Sequence, residues 1–297
     1  MRVAIGRYFV CLALACLPAQ LCLAADDIYT TLVTKGIALA ADETVKLPQP
    51  ILADGLEGAE QRKTIESLLA GRYEWDEFSR KSVVSPLLLK IDDSERASGK
   101  LGRRVDLYFI AFGKLELLQN DDKLQEQLTL AAAGDADSND GRVKVLSSDE
   151  LAKRGLPASQ TKSDPRWVAV ETTLLNKVQI NLTTRNAKTQ KDDSLLIASI
   201  LDPKFQGDAD YPNCWRSISN DDLGRRQVGP PQPYPGLGAY VKATRLVDPA
   251  GAAFIEYHVV YAEPEGWFHG ANLLRSKLPI VAQDLVRKLR RKMAESN

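Results

Sequence analysis

The strongest constraint on the fold lies in the last sixty residues, 238–297, which predict two β-strands followed by one long amphipathic helix. Residues 239–247 and 253–263 are rich in β-branched and aromatic side chains, which favour strands. Between them, Asp-Pro-Ala-Gly at 248–251 is typical of a turn, because proline fixes its φ angle and glycine accepts positive φ. We therefore predict an α+β fold in which an antiparallel sheet is covered on one side by the C-terminal helix.

The second of these strands alternates between apolar and polar side chains. Tyr257 and Tyr261 lie on one face together with Ile255 and Val259, because side chains of a strand alternate with a period of two. Glu256 and His258 lie on the other face. The pattern predicts one buried face and one that is solvated or lines a polar cavity.

The helix that follows carries one apolar stripe, formed by Leu274, Leu278, Val281, Leu285 and Leu289. Pro279 interrupts the pattern, so the helix either begins near Leu278 or begins earlier and kinks at the proline. Its end is basic at positions 287, 288 and 290–292, which suits the negative end of the helix dipole. A solvated helix end is the ordinary interpretation of such a run, and contact with anionic lipid is the alternative.

Residues 1–24 have the pattern of a signal peptide. Arg2 and Arg7 precede an apolar run at 8–17 that is too short to span a bilayer, and small residues favour cleavage before Ala25. Lipid attachment at Cys16 is the alternative. The sequence thus predicts export to the periplasm or the extracellular space, and no later segment is long and apolar enough to cross a membrane.

The composition excludes several classes of site. Three of the four cysteines lie in the predicted signal peptide, so the remaining Cys214 cannot form an intramolecular disulfide or a cysteine-rich metal site. Basic and acidic residues number 39 each, and without Arg2 and Arg7 the acidic ones are in slight excess. A dedicated nucleic-acid binder usually has a strong basic excess, so we expect no nucleic-acid partner.

The remainder of the chain is predicted to form one domain. Residues 25–53 are expected to be an irregular segment, and residues 54–297 a single α+β domain with long loops at 131–146 and 202–236. Within it we expect a helix over 54–70, a hairpin of strands 83–91 and 105–113, and a half-buried strand over 178–182.

No metal or catalytic motif is complete. Residues 134–141 imitate a calcium loop, but Asp140 stands where glycine is required and Leu146 where glutamate is. We predict a flexible acidic loop there, no metal site and no cofactor. Glu256 and His258 are an acid–base candidate for an unrecognised hydrolase, although alternation makes a solvent-facing pair the ordinary interpretation.

Two motifs carry a family resemblance. Pro-Glu-Gly-Trp at 264–267 and Asn-Leu-Leu-Arg-Ser-Lys-Leu-Pro at 272–279 lead into the final helix. With the order of elements, they resemble StAR-related lipid-transfer (START) domains and the wider helix-grip superfamily. The resemblance covers about sixty residues, and it implies a curved antiparallel sheet that grips the C-terminal helix around a hydrophobic ligand. The length of the chain and the 202–236 loop depart from that pattern.

The leading interpretation is therefore an exported, non-enzymatic binder of a hydrophobic small molecule or lipid held between sheet and helix. The expected ligand-binding residues are Tyr257, Tyr261, Trp267, Leu274, Leu278 and Leu285. Trp267 either locks the helix to the sheet or lines the mouth of the cavity. The alternative is an envelope or extracellular interaction or structural module whose core is filled and holds no ligand. Its protein partners are not predicted by the sequence.

Overall fold

A large antiparallel sheet and a long C-terminal helix dominate the computed structural model of the protein. The structure describes residues 24–40, 43–96, 99–121, 125, 141–159, 161, 164–268 and 273–295. In this part of the chain, the α+β prediction of an antiparallel sheet with a C-terminal helix is confirmed. The predicted signal peptide lies outside the described residues apart from Ala24.

The helices are α1 (Ala24–Thr30), α2 (Gly58–Leu69), α3 (Trp75–Phe78), α4 (Leu115–Asn120), α5 (Ser148–Ala152) and α6 (Leu273–Glu295), with a π-helical turn at Thr31–Lys35 and a 3-10 turn at Pro203–Phe205. The strands are β1 (Ile37–Ala40), β2 (Glu43–Val45), β3 (Leu88–Arg96), β4 (Gly99–Phe112), β5 (Arg142–Val145), β6 (Arg166–Leu174), β7 (Val178–Gln190), β8 (Ser194–Leu201), β9 (Cys214–Asn220), β10 (Arg226–Val228), β11 (Gln232–Pro233), β12 (Leu237–Arg245) and β13 (Ala252–Ala262).

Strand β13 lies inside the sheet, whose main order is β10-β9-β7-β8-β12-β13-β4-β3. It pairs with β12 on one side and with β4 on the other, from Ala252 opposite Phe112 to Ala262 opposite Gly102. Strands β5 and β6 join the sheet through β7, and β1 and β2 form a separate hairpin. The predicted strands around 105–113, 178–182 and 257–261 therefore belong to one sheet.

The sheet has two covered faces. Helix α6 packs on one of them, which we call the α6 face, where Leu107, Tyr257 and Leu278 meet around a cavity. Helices α2 and α3 pack on the opposite face, where Tyr108, Ile110 and Phe254 join their apolar side chains in one cluster. Because residues of a strand alternate, neighbours on β13 lie on different faces.

Residues 25–53 are not irregular as predicted. They contain α1, the π-helical turn and the β1–β2 hairpin, and Ile28 and Leu32 are fully buried. The segment packs so closely that a Cβ atom on Gly236 would stand 2.1 Å from the carbonyl oxygen of Ala38. The prediction was wrong because Pro48 and Pro50 suggested a segment without regular secondary structure. The apolar residues that precede these prolines are too few to show a periodic pattern.

The hairpin of β3 and β4 is longer than predicted. The stretch 92–104 was expected to be a polar loop, but most of it continues both strands. Its charges pair across the strands: Arg103 Nη1 lies 2.6 Å from Asp93 Oδ1, and Arg104 pairs with Asp92. Opposite charges on facing strands stabilise a sheet, so this polar composition belongs to strands.

The other predicted boundaries also shift. The 202–236 loop contains the 3-10 turn and β9 to β11, with β9 paired to β7. Residues 131–140 of the second predicted loop lie outside the described residues, and residues 142–145 form β5. Helix α6 begins at Leu273 and passes through Pro279, so the proline lies inside the helix.

Candidate functional site

A cavity of about 90 Å³ lies between the sheet and α6. Apolar side chains from the sheet form its floor, and α6 forms its roof. The lining residues are Leu89, Val105, Leu107, Leu174, Leu175, Ile180, Leu182, Tyr234, Leu237, Tyr257, Val259, Tyr261, Trp267, Leu274, Lys277, Leu278, Val281, Ala282 and Leu285. Such an apolar space with a few polar groups is typical of a small-molecule site.

The six residues predicted to bind a ligand all line this cavity. Tyr257 and Tyr261 project from β13 because they share its α6 face, and Trp267 follows in the turn after the strand. Leu274, Leu278 and Leu285 come from α6. Their convergence follows from the two periodicities in the sequence, whereas their role in holding a ligand stays a prediction.

Trp267 is packed among other aromatic rings and also borders the cavity. Its ring is 3% exposed and stacks on Tyr234 with ring centroids 5.8 Å apart. Trp215 and Phe268 meet it edge-on at 6.2 Å and 6.0 Å. The ring also borders the cavity, and its Nε1 has no hydrogen-bond partner among the described residues.

Two tyrosine hydroxyls share this lack of partners. Tyr257 and Tyr261 are 4% and 7% exposed, and neither hydroxyl has a hydrogen-bond partner in the described part of the chain. Burial raises the pKa of both phenols well above the usual value, and a neighbouring ionisable group raises each further. Both therefore stay neutral. Tyr234, which lines the same cavity, donates its hydroxyl proton to the carbonyl oxygen of Ala262 at 2.9 Å.

The C-terminal half of α6 is fixed to the sheet. Arg290 is buried and donates to the backbone carbonyl oxygens of Ile110, Pro86, Ser85 and Val83 at 2.9, 2.9, 2.5 and 3.3 Å. Desolvation lowers the pKa of its guanidinium to about 10, so Arg290 still carries its charge at neutral pH. A depression of about 430 Å³ beside it also includes Arg72 and Arg287, but the donors of Arg290 are committed to these carbonyls.

The N-terminal half of α6 is held differently. Arg275 Nη1 lies 2.7 Å from Asp93 Oδ2, at the surface. Asp93 also pairs with the buried Arg103, which in turn contacts Glu263 at 2.6 Å. Beyond these ion pairs, Leu278, Val281 and Leu285 are only half-buried over the cavity. The roof of the cavity is therefore more exposed at this end of the helix.

Glu256 and His258 are not the solvent-facing pair that alternation predicted, because both side chains are 0% exposed. Glu256 accepts hydrogen bonds from the backbone N–H groups of Ile51 and Leu52 at 2.7 Å and 3.1 Å. His258 Nδ1 lies 2.7 Å from Asp106 Oδ1, while its Nε2 lies 3.8 Å from Glu256 Oε2. A substrate cannot reach a pair enclosed in this way, so the arrangement does not favour a hydrolase.

Burial alone would lower the pKa of His258. The hydrogen bond to Asp106 and the negative charges of Asp106 and Glu256 outweigh it, so the pKa of His258 is raised. The rings of Tyr240 and Tyr108 enclose the imidazole at centroid distances of 4.6 Å and 5.3 Å.

No group of three or more His, Cys, Asp or Glu side chains among the described residues could hold a metal ion. The calcium-like stretch 134–141 lies outside them, except for Gly141. Over the same described ranges, no helix combines the length and apolar composition needed to cross a membrane.

Several lining residues were missed as site residues. Ile180 and Leu182 were recognised as the buried side of a strand, but nothing local in the sequence places that strand beneath α6. Tyr234 lies in a proline-rich stretch that favoured a loop. Lys277 also lines the cavity, and its side chain is exposed and basic. It directly precedes Leu278 of the apolar stripe, and an exposed lysine on an amphipathic helix gives no sign of a binding role.

No family model matches the sequence, and no curated protein matches it. Human STARD10 is similar in structure with a TM-score of 0.37 and 11% identity, over 86% of this chain and 85% of that chain. CalU16 from Micromonospora echinospora is similar with a TM-score of 0.20 and 6% identity, over 71% and 98%. The START-like resemblance predicted from the C-terminal motifs is thus present but weak, and no functional conclusion follows from scores this low.

Proposed function

We propose that the protein binds a hydrophobic small molecule or lipid between the sheet and α6, as a carrier or receptor rather than a catalyst. The observation that carries this proposal is the apolar cavity, which is lined from both sides of the sheet–helix contact. Its lining is apolar except for the polar ends of a few side chains. A largely apolar ligand would therefore contact apolar side chains throughout and would leave no buried charge unpaired.

The size of the cavity constrains how such a ligand binds. About 90 Å³ is well below the roughly 300–1,000 Å³ of typical ligand pockets, so a lipid-sized ligand requires the cavity to widen. The N-terminal half of α6 is the lining element that can yield. Leu273 and Ile280 are exposed there, and Pro279 removes one helical hydrogen bond.

The C-terminal half of α6 cannot yield in the same way. Arg290 holds four backbone carbonyls, and a Cβ atom on Gly113 would stand 2.4 Å from the carbonyl oxygen of Met293. We therefore expect the helix to tilt about its fixed end when a ligand enters.

A cavity-filling substitution tests the proposal. Ala282 lines the cavity and Ala294 is exposed near the end of the same helix, so Ala282→Phe and Ala294→Phe form a matched pair. We expect Ala282→Phe to abolish uptake of a fluorescent fatty acid, because its ring occupies the cavity, and Ala294→Phe to retain it. Native mass spectrometry of the wild-type protein from its own host should show a co-purifying apolar mass. Uptake that is equal in both variants would contradict the proposed site.

A clean apo mass without uptake of any apolar probe would instead support the alternative, an interaction or structural module. That outcome would be followed by cross-linking in the native host to recover protein partners.

We propose further that the protein is exported to the periplasm or extracellular space. Cleavage before Ala25 would leave Ile28 and Leu32 in the mature chain, and both are fully buried against the rest of the fold. Intact mass measurement of the mature protein tests this. A mass that retains residues 1–24 would contradict it, and a lipid-modified mass beginning at Cys16 would support the lipoprotein alternative.

A further inference from the structure

Three buried polar groups along the cavity have no hydrogen-bond partner among the described residues. They are the hydroxyls of Tyr257 and Tyr261 and the Nε1 of Trp267, all on side chains that are at least nine-tenths buried and that line the cavity. Leaving a buried polar group without a hydrogen bond is unfavourable. Phenylalanine in place of either tyrosine would fill nearly the same space without that cost. Three such groups along one cavity therefore point to a partner that arrives with the ligand.

The geometry points to a ligand that carries at least one neutral oxygen function, a hydroxyl, carbonyl or ester, inside the cavity beside Tyr257, Tyr261 or Trp267. This inference deepens the proposed function and rests on it. An indole N–H only donates, and a tyrosine hydroxyl can donate or accept, so an acceptor oxygen is the group that all three can recognise. A pure hydrocarbon would leave them unpaired.

The position of the three groups shows how the ligand lies. Tyr257 and Tyr261 share one face of β13 and are four residues apart, roughly 13 Å between Cα atoms. Trp267 follows beyond the end of the strand. The unpaired groups thus extend along the cavity, and an elongated molecule that runs along β13 passes each of them.

The charges near the cavity favour a neutral oxygen over a carboxylate at this place. The buried cation near Tyr261 is Arg103, which is already engaged with Glu263 and Asp93 at 2.6 Å each. A carboxylate beside Tyr261 would therefore meet two carboxylates that already neutralise this cation. Lys277 lies at the exposed edge of the same cavity, where an anionic head would remain in contact with water.

A set of matched ligands tests the inference on the full-length protein. Hexadecane, hexadecanol, methyl palmitate and palmitate share one chain length and differ in the polar group. Each is measured by displacement of the neutral fluorophore N-phenylnaphthylamine from the wild-type protein and from Tyr257→Phe, Tyr261→Phe and Tyr240→Phe. Each affinity is divided by that of the same ligand for the wild type, so differences in aqueous solubility cancel.

We expect Tyr257→Phe, Tyr261→Phe or both to weaken hexadecanol and methyl palmitate about three- to tenfold, since one neutral hydrogen bond is lost. Hexadecane should bind these variants as well as it binds the wild type. Tyr240→Phe is the control, because Tyr240 is buried outside the cavity and its hydroxyl donates to the Pro48 carbonyl, and it should change no ligand's preference. Lys277→Gln should weaken palmitate alone.

Two outcomes overturn the inference while the proposed function survives. In one, every ligand binds, and Tyr257→Phe and Tyr261→Phe change the affinity of the oxygenated ligands no more than that of hexadecane. The tyrosine hydroxyls would then form no hydrogen bond with the ligand. In the other, palmitate loses as much affinity as hexadecanol in the tyrosine variants and none in Lys277→Gln, which places the carboxylate inside. If no ligand displaces the fluorophore, and the fluorophore itself does not bind, the proposed function fails together with the inference.

Discussion

The two faces of β13 differ in where their buried polar side chains find partners. On the face opposite α6, the carboxylate of Glu256 accepts two backbone N–H groups, and His258 is bound to Asp106. On the α6 face, only one or two residues away, the hydroxyls of Tyr257 and Tyr261 have no partner among the described residues. The face opposite α6 also holds buried atoms without a hydrogen-bond partner among the described residues, His258 Nε2 and Thr244 Oγ1, but these do not line the cavity. The unpaired groups of the α6 face differ in that they border the cavity, where a bound molecule can reach them.

On the face opposite α6, several polar side chains pair with a segment that is distant in the sequence. Tyr240 donates to the Pro48 carbonyl at 2.7 Å, and Lys242 contacts the Leu52 carbonyl at 2.6 Å and Asp54 at 2.7 Å. Burial alone would raise the pKa of Asp54, but Lys191 and Lys242 outweigh it and lower the value to about 2. Residues 46–56 thus cover part of this face and pair with Glu256, Tyr240 and Lys242.

The largest effect on stability is expected from removing the carboxylate of Glu256, on the face opposite α6. Glu256→Ala removes a buried carboxylate and leaves the N–H groups of Ile51 and Leu52 without acceptors, so the free energy of unfolding should fall by about 3–5 kcal/mol. Urea denaturation measures it. Glu265→Ala, an exposed glutamate in the following turn, is the control and should change the free energy by less than about 0.5 kcal/mol. Equal midpoints for the two variants would mean that Glu256 does not hold segment 46–56.

A substitution at the boundary of the α6 face should affect both stability and binding. Trp267→Ala removes a ring packed on Tyr234, Trp215 and Phe268, and we expect a loss of about 3 kcal/mol, the lower end for large aromatic residues, because one side of the ring borders the cavity. Uptake of a fluorescent fatty acid should fall sharply as well. Unchanged melting temperature and unchanged uptake would contradict both roles assigned to Trp267.

His258, on the face opposite α6, should also make the free energy of unfolding depend on pH. The pKa of His258 is raised in the folded state above its unfolded value of about 6.5, so its contribution to stability is fully present below pH ~6.5 and is lost as the pH rises through the folded pKa. Unfolding free energies measured from pH ~6 to ~9 should therefore decline more steeply for the wild type than for His258→Gln. Parallel slopes would show that His258 binds no additional proton in the folded protein.

The contrast between the faces also explains what the sequence could predict. The α6 face was predicted well because a period of two on β13 and a helical period on α6 are both local patterns, and they converge on one cavity. The opposite face was predicted to be wet because Glu256 and His258 are polar residues on an alternating strand. Ile51 and Leu52, the partners of Glu256, lie more than 200 positions away in the sequence, and Asp106, the partner of His258, lies 152 positions away. No local sequence pattern predicts such contacts.

The smallest expected effect is a gain in stability, and it tests the difference between the two faces of β13 most directly. Tyr257→Phe removes a buried hydroxyl that has no partner and leaves the ring in place, so the ligand-free protein should become more stable by about 1 kcal/mol. Tyr234→Phe is the matched control, since its hydroxyl does have a partner, and it should lower stability by about 1 kcal/mol. Thermal unfolding of protein freed of ligand by denaturation and refolding measures both. If Tyr257→Phe destabilises as much as Tyr234→Phe, its hydroxyl is satisfied within the ligand-free fold, and the unpaired groups of the α6 face no longer argue for a ligand.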